Sequence, residues 1–264
     1  MCGRFTLRAS ASVIAEQFSL FEVPAFAARF NIAPTQPVPV IRRQAEPLQG
    51  DGGTAADNSS GQVADRSRRC SSVPLASARR ELTSMQWGLI PGWAKDPTIG
   101  ARLINARAET AAEKPAFRNA IRRRRCLVVA DGFYEWQGAG RTKQPYFIRL
   151  CDDRPFAFAG IWEAWEAADH TMLEACAILT TGPNELIRPI HDRMPVILPS
   201  GDYAAWLDPT IEDPRQVTPL LTPYPSDAMQ AHPVGKFVNS PAHDSPQCIE
   251  PVLRKGNVPF PGWE

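Results

Sequence analysis

Proline limits what this chain can fold into more than any other residue. There are 26 prolines among 264 residues, about twice the usual share of ~5%. A proline inside a helix removes a main-chain hydrogen bond and clashes with the turn before it. So many breaks leave room for turns and short strands, and for few long helices. Between the breaks lie runs rich in β-branched and aromatic residues. Residues 3–7, 37–43, 81–90, 126–136, 146–150, 156–162 and 173–181 are predicted strands. Residues 138–144 read as the turn of a hairpin. Short helices are predicted after Ser10, over 115–124, near Asn184 and over 203–207. Ser10 would cap the first, with Val13, Ile14 and Phe18 on its apolar face. Strands do not alternate regularly with helices. The expected fold is therefore α+β, a curled, largely antiparallel β-sheet core with peripheral short helices.

One stretch breaks the pattern. Residues 45–78 collapse into Gln-Gly-Asp-Gly-Gly, Asn-Ser-Ser-Gly and Arg-Ser-Arg-Arg, with almost nothing large and apolar. Such a segment cannot bury enough surface to offset its ordering entropy. It reads as a disordered insertion within a single domain spanning 1–264. The run 122–125 is four consecutive arginines. It reads as a solvated helix end interacting with its own carbonyls.

Charge and cysteine content exclude several classes. The net charge of +1 gives no global pull toward nucleic acid or membrane. Local patches must decide, and the cations are lopsided, with 24 Arg against five Lys. No apolar run has signal-peptide or transmembrane length, so a cytoplasmic protein with reduced thiols is expected. The six cysteines form no C-x-x-C, and no histidine stands at zinc-ligand spacing from any of them. Neither a metal nor a cofactor is expected.

Chemistry is suggested at four positions. Cys2 follows the initiator methionine, which is usually trimmed before a small side chain. Trimming would leave an α-amine beside the thiol, a 1,2-aminothiol that condenses with an aldehyde to an imine and then a thiazolidine. It is also the arrangement of an N-terminal nucleophile. Glu135 lies between Tyr134 and Trp136 at the end of an apolar strand. A carboxyl among aromatics has its neutral form favoured, which suits a general acid or base. His191, between Ile190 and Asp192, is of the type that shuttles protons near neutral pH. Asn105 can hold an amine or an oxyanion. Each residue alone also has an ordinary structural explanation as a satisfied buried polar group.

Six motifs occur in order: M-C-G-R-F at 1–5, N-I-A-P-T at 31–35, W-G-L-I-P-G-W at 87–93, N-A-R-A-E-T at 105–110, G-F-Y-E-W at 132–136 and I-H-D-R-M-P at 190–195. Together they resemble the SRAP family, the SOS-response-associated peptidases or abasic-site-processing proteins. The resemblance spans nearly the whole chain apart from 45–78. It implies a protein that captures abasic sites in single-stranded DNA through a thiazolidine on Cys2, with associated peptidase or autoproteolytic activity that removes the preceding residue. By position, Asn105 would orient Cys2, and Glu135 and His191 would form the acid–base pair. Arg4, Arg107 and Arg193 would grip phosphates, and Trp93 would pack against flanking bases. The partner implied is abasic single-stranded DNA, met by a monomer that is nucleoid-associated when bound to damage. Two other readings stay open. One is an N-terminal-nucleophile cysteine peptidase or amidohydrolase with an independent substrate. The other is a non-covalent single-stranded DNA or modified-base binding module.

Overall fold

The computed structural model describes residues 2–44, 79–138 and 143–252. The insertion expected at 45–78, and most of the turn expected at 138–144, lie outside the described residues. The chain opens with β1 (Phe5–Leu7), α1 (Ala11–Phe18), β2 (Arg29–Ile32) and β3 (Pro37–Arg43). After the insertion come β4 (Arg80–Trp87), β5 (Asn105–Arg107), α2 (Arg118–Arg123), β6 (Arg125–Ala130) and β7 (Gly132–Gln137). β8 (Gln144–Leu150), β9 (Phe156–Glu166) and β10 (Met172–Thr181) follow, then β11 (Met194–Pro195), β12 (Ile197–Leu198) and α3 (Tyr203–Leu207). α4 (Pro214–Val217) and β13 (Met229–Pro233) complete the described regular structure apart from short 3-10 turns.

Five strands close on themselves. β4 pairs with β3, β3 with β6, β6 with β9 and β9 with β10, each antiparallel, and β10 returns to β4 in parallel. β10 also carries β5 in parallel and β11 antiparallel, and β9 carries β12. The second sheet has the order β13-β8-β7-β1-β2, antiparallel at every step. The expected curled, largely antiparallel core with short peripheral helices is what the chain forms. Closure removes the exposed edges that would otherwise invite strand addition. Val40, Ile41, Leu127, Val129, Phe158 and Ile178 are fully buried in the core.

The predicted strand 126–136 is two strands in two sheets. The break is Asp131, whose buried carboxylate accepts the Thr6 hydroxyl at 2.6 Å, the Ala9 amide at 2.9 Å, the Arg8 amide, and Arg8 Nε at 3.1 Å. An Asp inside an apolar run looks like chemistry in sequence. Here it ends one strand and ties the corner to the segment after β1. Gly132 follows because nothing larger fits: a Cβ there would lie 2.3 Å from the Phe147 ring. Chain direction changes at this corner, and β7 carries Glu135 away from the barrel into the second sheet.

Other expectations need smaller corrections. Ser10 does cap α1, accepting from the Val13 amide, and Ile14 and Phe18 are buried, but Val13 faces solvent. The helix expected over 115–124 is regular only at Arg118–Arg123, preceded by turns. Arg125 is not solvated. It is buried in β6 and donates to the carbonyls of Ile121, Arg122, Trp206 and Ile211, and of Asp208. The stretch near Asn184 is a run of helical turns, with the Asn184 side chain accepting from the Ile187 amide at 2.9 Å. No helix among the described residues is long and apolar enough to cross a membrane.

Candidate active site

The N-terminus is placed by strand pairing. Phe5 lies opposite Phe133, and the Tyr134 amide donates to the Arg4 carbonyl at 3.0 Å. Carried two residues further, this antiparallel register sets Gly3 opposite Glu135. Cys2 is buried, its Sγ 3.8 Å from the Arg4 carbonyl. Burial pushes the Cys2 thiol well above its ordinary range, and the Glu135 charge adds to the effect. From the barrel side, Asn105 reaches in. It begins β5, opposite Ile178 on β10. The carbonyl of the preceding Ile104 accepts both the Ile178 amide at 3.0 Å and Trp87 Nε1 at 2.9 Å, so the backbone at this point is tightly held. Asn105 Nδ2 donates to the Cys2 carbonyl at 2.7 Å. Its contact is therefore with the main chain after the amine, not with the amine itself. Asn105 Oδ1 is buried and has no hydrogen-bond partner among the described residues. A buried acceptor left open costs about 1–3 kcal/mol, so a donor is wanted there.

Glu135 stands opposite Tyr146 on β8 and is 1% exposed. Desolvation raises its carboxyl to about 7, against the opposing positive charge of the chain terminus. Both protonation states are thus populated at neutral pH, as a group that takes and returns protons requires. His191 follows a helical turn in which its amide donates to the Ile187 carbonyl at 2.8 Å. Its Nε2 lies 3.9 Å from Glu135 Oε2, beyond a direct hydrogen bond and close enough for one reacting atom to bridge. Desolvation lowers the His191 pKa, so the ring is mostly neutral at pH 7. Two groups compete for its Nδ1: the Arg193 amide at 3.0 Å and Asp192 Oδ1 at 2.9 Å. The amide can only donate, and Asp192 is exposed to water. Nδ1 is therefore the acceptor, and the ring proton sits on Nε2, facing Glu135.

The expected DNA-binding residues are placed very differently from one another. Arg107, at the end of β5, is exposed, and its guanidinium makes no hydrogen bond among the described residues. Arg4 is half-buried. Its guanidinium donates to Asn31 Oδ1 at 2.9 Å and to the carbonyls of Val238 and Asn239 at 2.8 and 3.3 Å. Arg193 grips Glu109 with both terminal nitrogens, at 2.8 and 2.9 Å. Trp93 is 62% exposed on a turn fastened to β9 through Trp165 Nε1 and the Ala94 carbonyl, 2.7 Å apart. No hydrogen bond or ring contact joins Trp93 to Cys2, Asn105, Glu135 or His191 among the described residues.

The sequence matches the SOS response associated peptidase (SRAP) family over residues 1–241. The chain belongs to the SRAP family. It is 40% identical over 254 residues to the abasic site processing protein YoqW of Bacillus subtilis, covering 95% of this chain and 99% of that one. It is 36% identical over 201 residues to the abasic site processing protein HMCES of Gallus gallus, covering 67% of this chain and 59% of that one. A crystal structure of a protein from Bacteroides thetaiotaomicron superposes with a TM-score of 0.75 at 25% identity, covering 96% of this chain and 100% of that one.

On this SRAP fold the motifs divide into two kinds. M-C-G-R-F, N-A-R-A-E-T, G-F-Y-E-W and I-H-D-R-M-P meet around Cys2, and W-G-L-I-P-G-W supports them, with Trp87 Nε1 on the carbonyl before Asn105. N-I-A-P-T does a different job: Asn31 Nδ2 donates to the carbonyls of Val238, Ser240 and His243 at 3.1, 2.9 and 2.7 Å, pinning the C-terminal region beside Arg4. Three residues at the site escaped the sequence reading. Glu109 holds Arg193. Gln137 Nε2 donates to the Pro189 carbonyl at 2.8 Å, and the Tyr146 hydroxyl donates to Gln137 Oε1 at 3.2 Å. Glu109 had one signal, its place inside N-A-R-A-E-T. Tyr146 had only its position on a predicted strand, and Gln137 falls one residue past the end of another.

Proposed function

We propose that this SRAP protein captures abasic sites in single-stranded DNA as a covalent thiazolidine on Cys2, after removal of Met1. One observation carries the reading. The Cys2 backbone is held by Asn105 beside a buried carboxyl poised near neutral pH, with a neutral imidazole on its other side. The relatives' names as abasic site processing proteins fit it. An abasic sugar is mostly a closed hemiacetal. Glu135 takes the proton of the anomeric hydroxyl while His191 Nε2–H gives one to the ring oxygen; the C1′–O bond breaks to leave the aldehyde, and Glu135 returns its proton to His191. The Cys2 amine adds to C1′, Glu135 moves the protons as water leaves, and an imine forms. The thiol then adds across the C=N bond and closes the five-membered ring. The net change is aldehyde plus aminothiol giving thiazolidine plus one water. The open Asn105 Oδ1 offers an acceptor to the freed amine or to a sugar hydroxyl.

DNA binding is proposed to be electrostatic and indifferent to sequence, as phosphate contacts and stacking are. Arg107 is the cation freest to meet a phosphate. Arg4 and Arg193 contribute only the N–H groups that protein acceptors leave over. Trp93 offers a stacking face for a base farther along the strand. Removal of Met1 is assigned to the same Cys2, Glu135 and His191, in keeping with the peptidase activity in the family's description.

A thiolate-driven peptidase acting on other chains is less well supported. Such enzymes depress the pKa of the nucleophile with a nearby cation or helix terminus. Here burial and a carboxylate raise it. An amine-first reaction does not need a preformed thiolate. Intact-mass measurement after incubation with an abasic oligonucleotide tests the proposal. Wild type should gain the oligonucleotide mass less one water, without added reductant. Cys2→Ala should give at most an imine, visible only after borohydride trapping. A heat-stable adduct from Cys2→Ala would refute the thiazolidine.

A further inference from the structure

We propose that Glu109 is a positioning residue: by gripping the Arg193 guanidinium it locks the turn that carries His191, and so decides which imidazole nitrogen carries the ring proton. The inference rests on the crosslinking reading above and adds a residue to it.

The turn is pinned at both ends. On the side of β7, Gln137 Nε2 donates to the Pro189 carbonyl at 2.8 Å. Gln137 is two residues from Glu135, so this strut ties the turn to the strand that bears the carboxyl. On the side of β10, Arg193 Nη1 and Nη2 meet Glu109 Oε1 and Oε2 at 2.8 and 2.9 Å, a fork-to-fork pairing that fixes the plane of the guanidinium. Nη2 also donates to the Thr180 carbonyl at 2.5 Å. Both Nη2 hydrogens are thereby used, and Nε is buried without a partner among the described residues. The Arg193 side chain is 14% exposed, against 52% for Glu109. Glu109 itself is placed by β5, because the Ala108 amide donates to the same Thr180 carbonyl at 2.9 Å. One carbonyl thus aligns both halves of the pair.

His191 lies between the two pins. The amide of Arg193 supplies the hydrogen that makes Nδ1 an acceptor and leaves the ring proton on Nε2. If Arg193 swings away, that amide moves with its backbone. Nδ1 is then free to take the alternative partner, Asp192 Oδ1, which requires the proton on Nδ1. Nε2 would become an acceptor facing Glu135, and the proton that opens the sugar would be on the wrong nitrogen. A half-exposed ion pair adds little to stability, whereas misplacing a reacting group by ~1 Å can cost about 10²-fold in rate. Positioning is therefore the larger effect of the two. A competing role would have Glu109 merely occupy Arg193 until a phosphate displaces it.

The test uses the mature full-length protein and the variants Glu109→Gln and Glu109→Ala. Four quantities are measured: the 15N shifts of the His191 ring, assigned with His191→Ala; adduct rate at saturating abasic oligonucleotide; affinity for an intact oligonucleotide; and thermal midpoint. Expected are a mixed-tautomer ring pattern in place of the single Nε2–H form and an adduct rate reduced by about 10-fold. Intact-DNA affinity should be equal or tighter, with little change in the midpoint. An unchanged ring pattern, or an unchanged rate at saturating DNA, overturns the proposal. Faster adduct formation with tighter binding also overturns it, in favour of simple competition with phosphate. If wild type forms no adduct yet Glu109→Gln still mixes the tautomers, the positioning role stands and the crosslinking function falls.

Discussion

Asp131 and Glu135 are carboxylates four residues apart on one continuous stretch, 2% and 1% exposed. Burial does not distinguish them, but their surroundings do. Asp131 sits among the Thr6 hydroxyl, the Arg8 and Ala9 amides and the Arg8 guanidinium. Donors of this kind occupy both carboxylate oxygens and hold the corner in place. Glu135 faces a group that itself gains and loses protons, His191 at 3.9 Å. Desolvation brings it to about 7. The first residue turns a corner in the fold, and the second is ready for chemistry. A buried acid becomes a candidate catalyst through the kind of partners it keeps, and burial alone does not make it one.

The contrast can be broken most severely through rates. Glu135→Gln should slow adduct formation by about 10²–10⁴-fold, the usual worth of a positioned proton-transfer group, while binding of intact single-stranded DNA changes little. Single-turnover assays at saturating DNA read this directly. His191→Ala should slow capture of a closed abasic sugar more than capture of an already open aldehyde. Equal slowing on both would remove His191 from ring opening.

Stability gives the next largest effects, with opposite signs. Asp131→Ala strips one partner from a buried, hydrogen-bonded charge and should cost about 3 kcal/mol or more, measured by denaturant unfolding. Glu135→Gln should do the reverse above neutral pH. Below the ordinary carboxylate pKa both folded and unfolded wild type hold the proton, and Glu135 carries no penalty. As pH rises toward 7 the unfolded chain ionises while the folded one resists, so wild type loses stability across that window. With the folded carboxyl at about 7, the accumulated loss is up to about 3 kcal/mol. Glu135→Gln escapes it. The variant should match wild type near pH 4 and be the more stable protein at pH 8. A pH-independent difference would mean that Glu135 titrates normally.

The smallest effect concerns the exposed cation. Arg107→Ala should weaken single-stranded DNA binding across sequences and reduce the salt slope by about 1. A change in base preference at constant slope would contradict a phosphate contact.

The comparison also explains what could be read from sequence. Glu135 and Asp131 both appear there as acids in an apolar run; the flanking Tyr134 and Trp136 mark Glu135, but nothing local says that Asp131 is a corner. Asp131 is a corner only because Thr6, Arg8 and Ala9 come back to it from the chain's start. The strand 37–43 was legible through its β-branched residues and 173–181 as a short, nearly continuous apolar run, since both patterns report burial locally. β13 was not, since Met-Gln-Ala-His-Pro is short, has no β-branched or aromatic residue, ends in Pro and is paired only with β8. Cys2, Asn105, Glu135 and His191 were legible through ordered motifs. Glu109, Gln137 and Tyr146 were not, because their contacts join residues distant in sequence. Arg193 and Glu109 are 84 positions apart.

The central claim is that the amine and the thiol of one residue, Cys2, act together. The most direct measurement is the intact mass of two otherwise identical proteins after incubation with abasic single-stranded DNA. One has Cys2 as its verified first residue, and the other keeps an uncleaved N-terminal extension. The thiol is present in both, but the free amine only in the first. Expected is a stoichiometric, heat-stable adduct from the first protein and none from the second. A heat-stable adduct of equal yield from the extended protein would contradict the aminothiol mechanism.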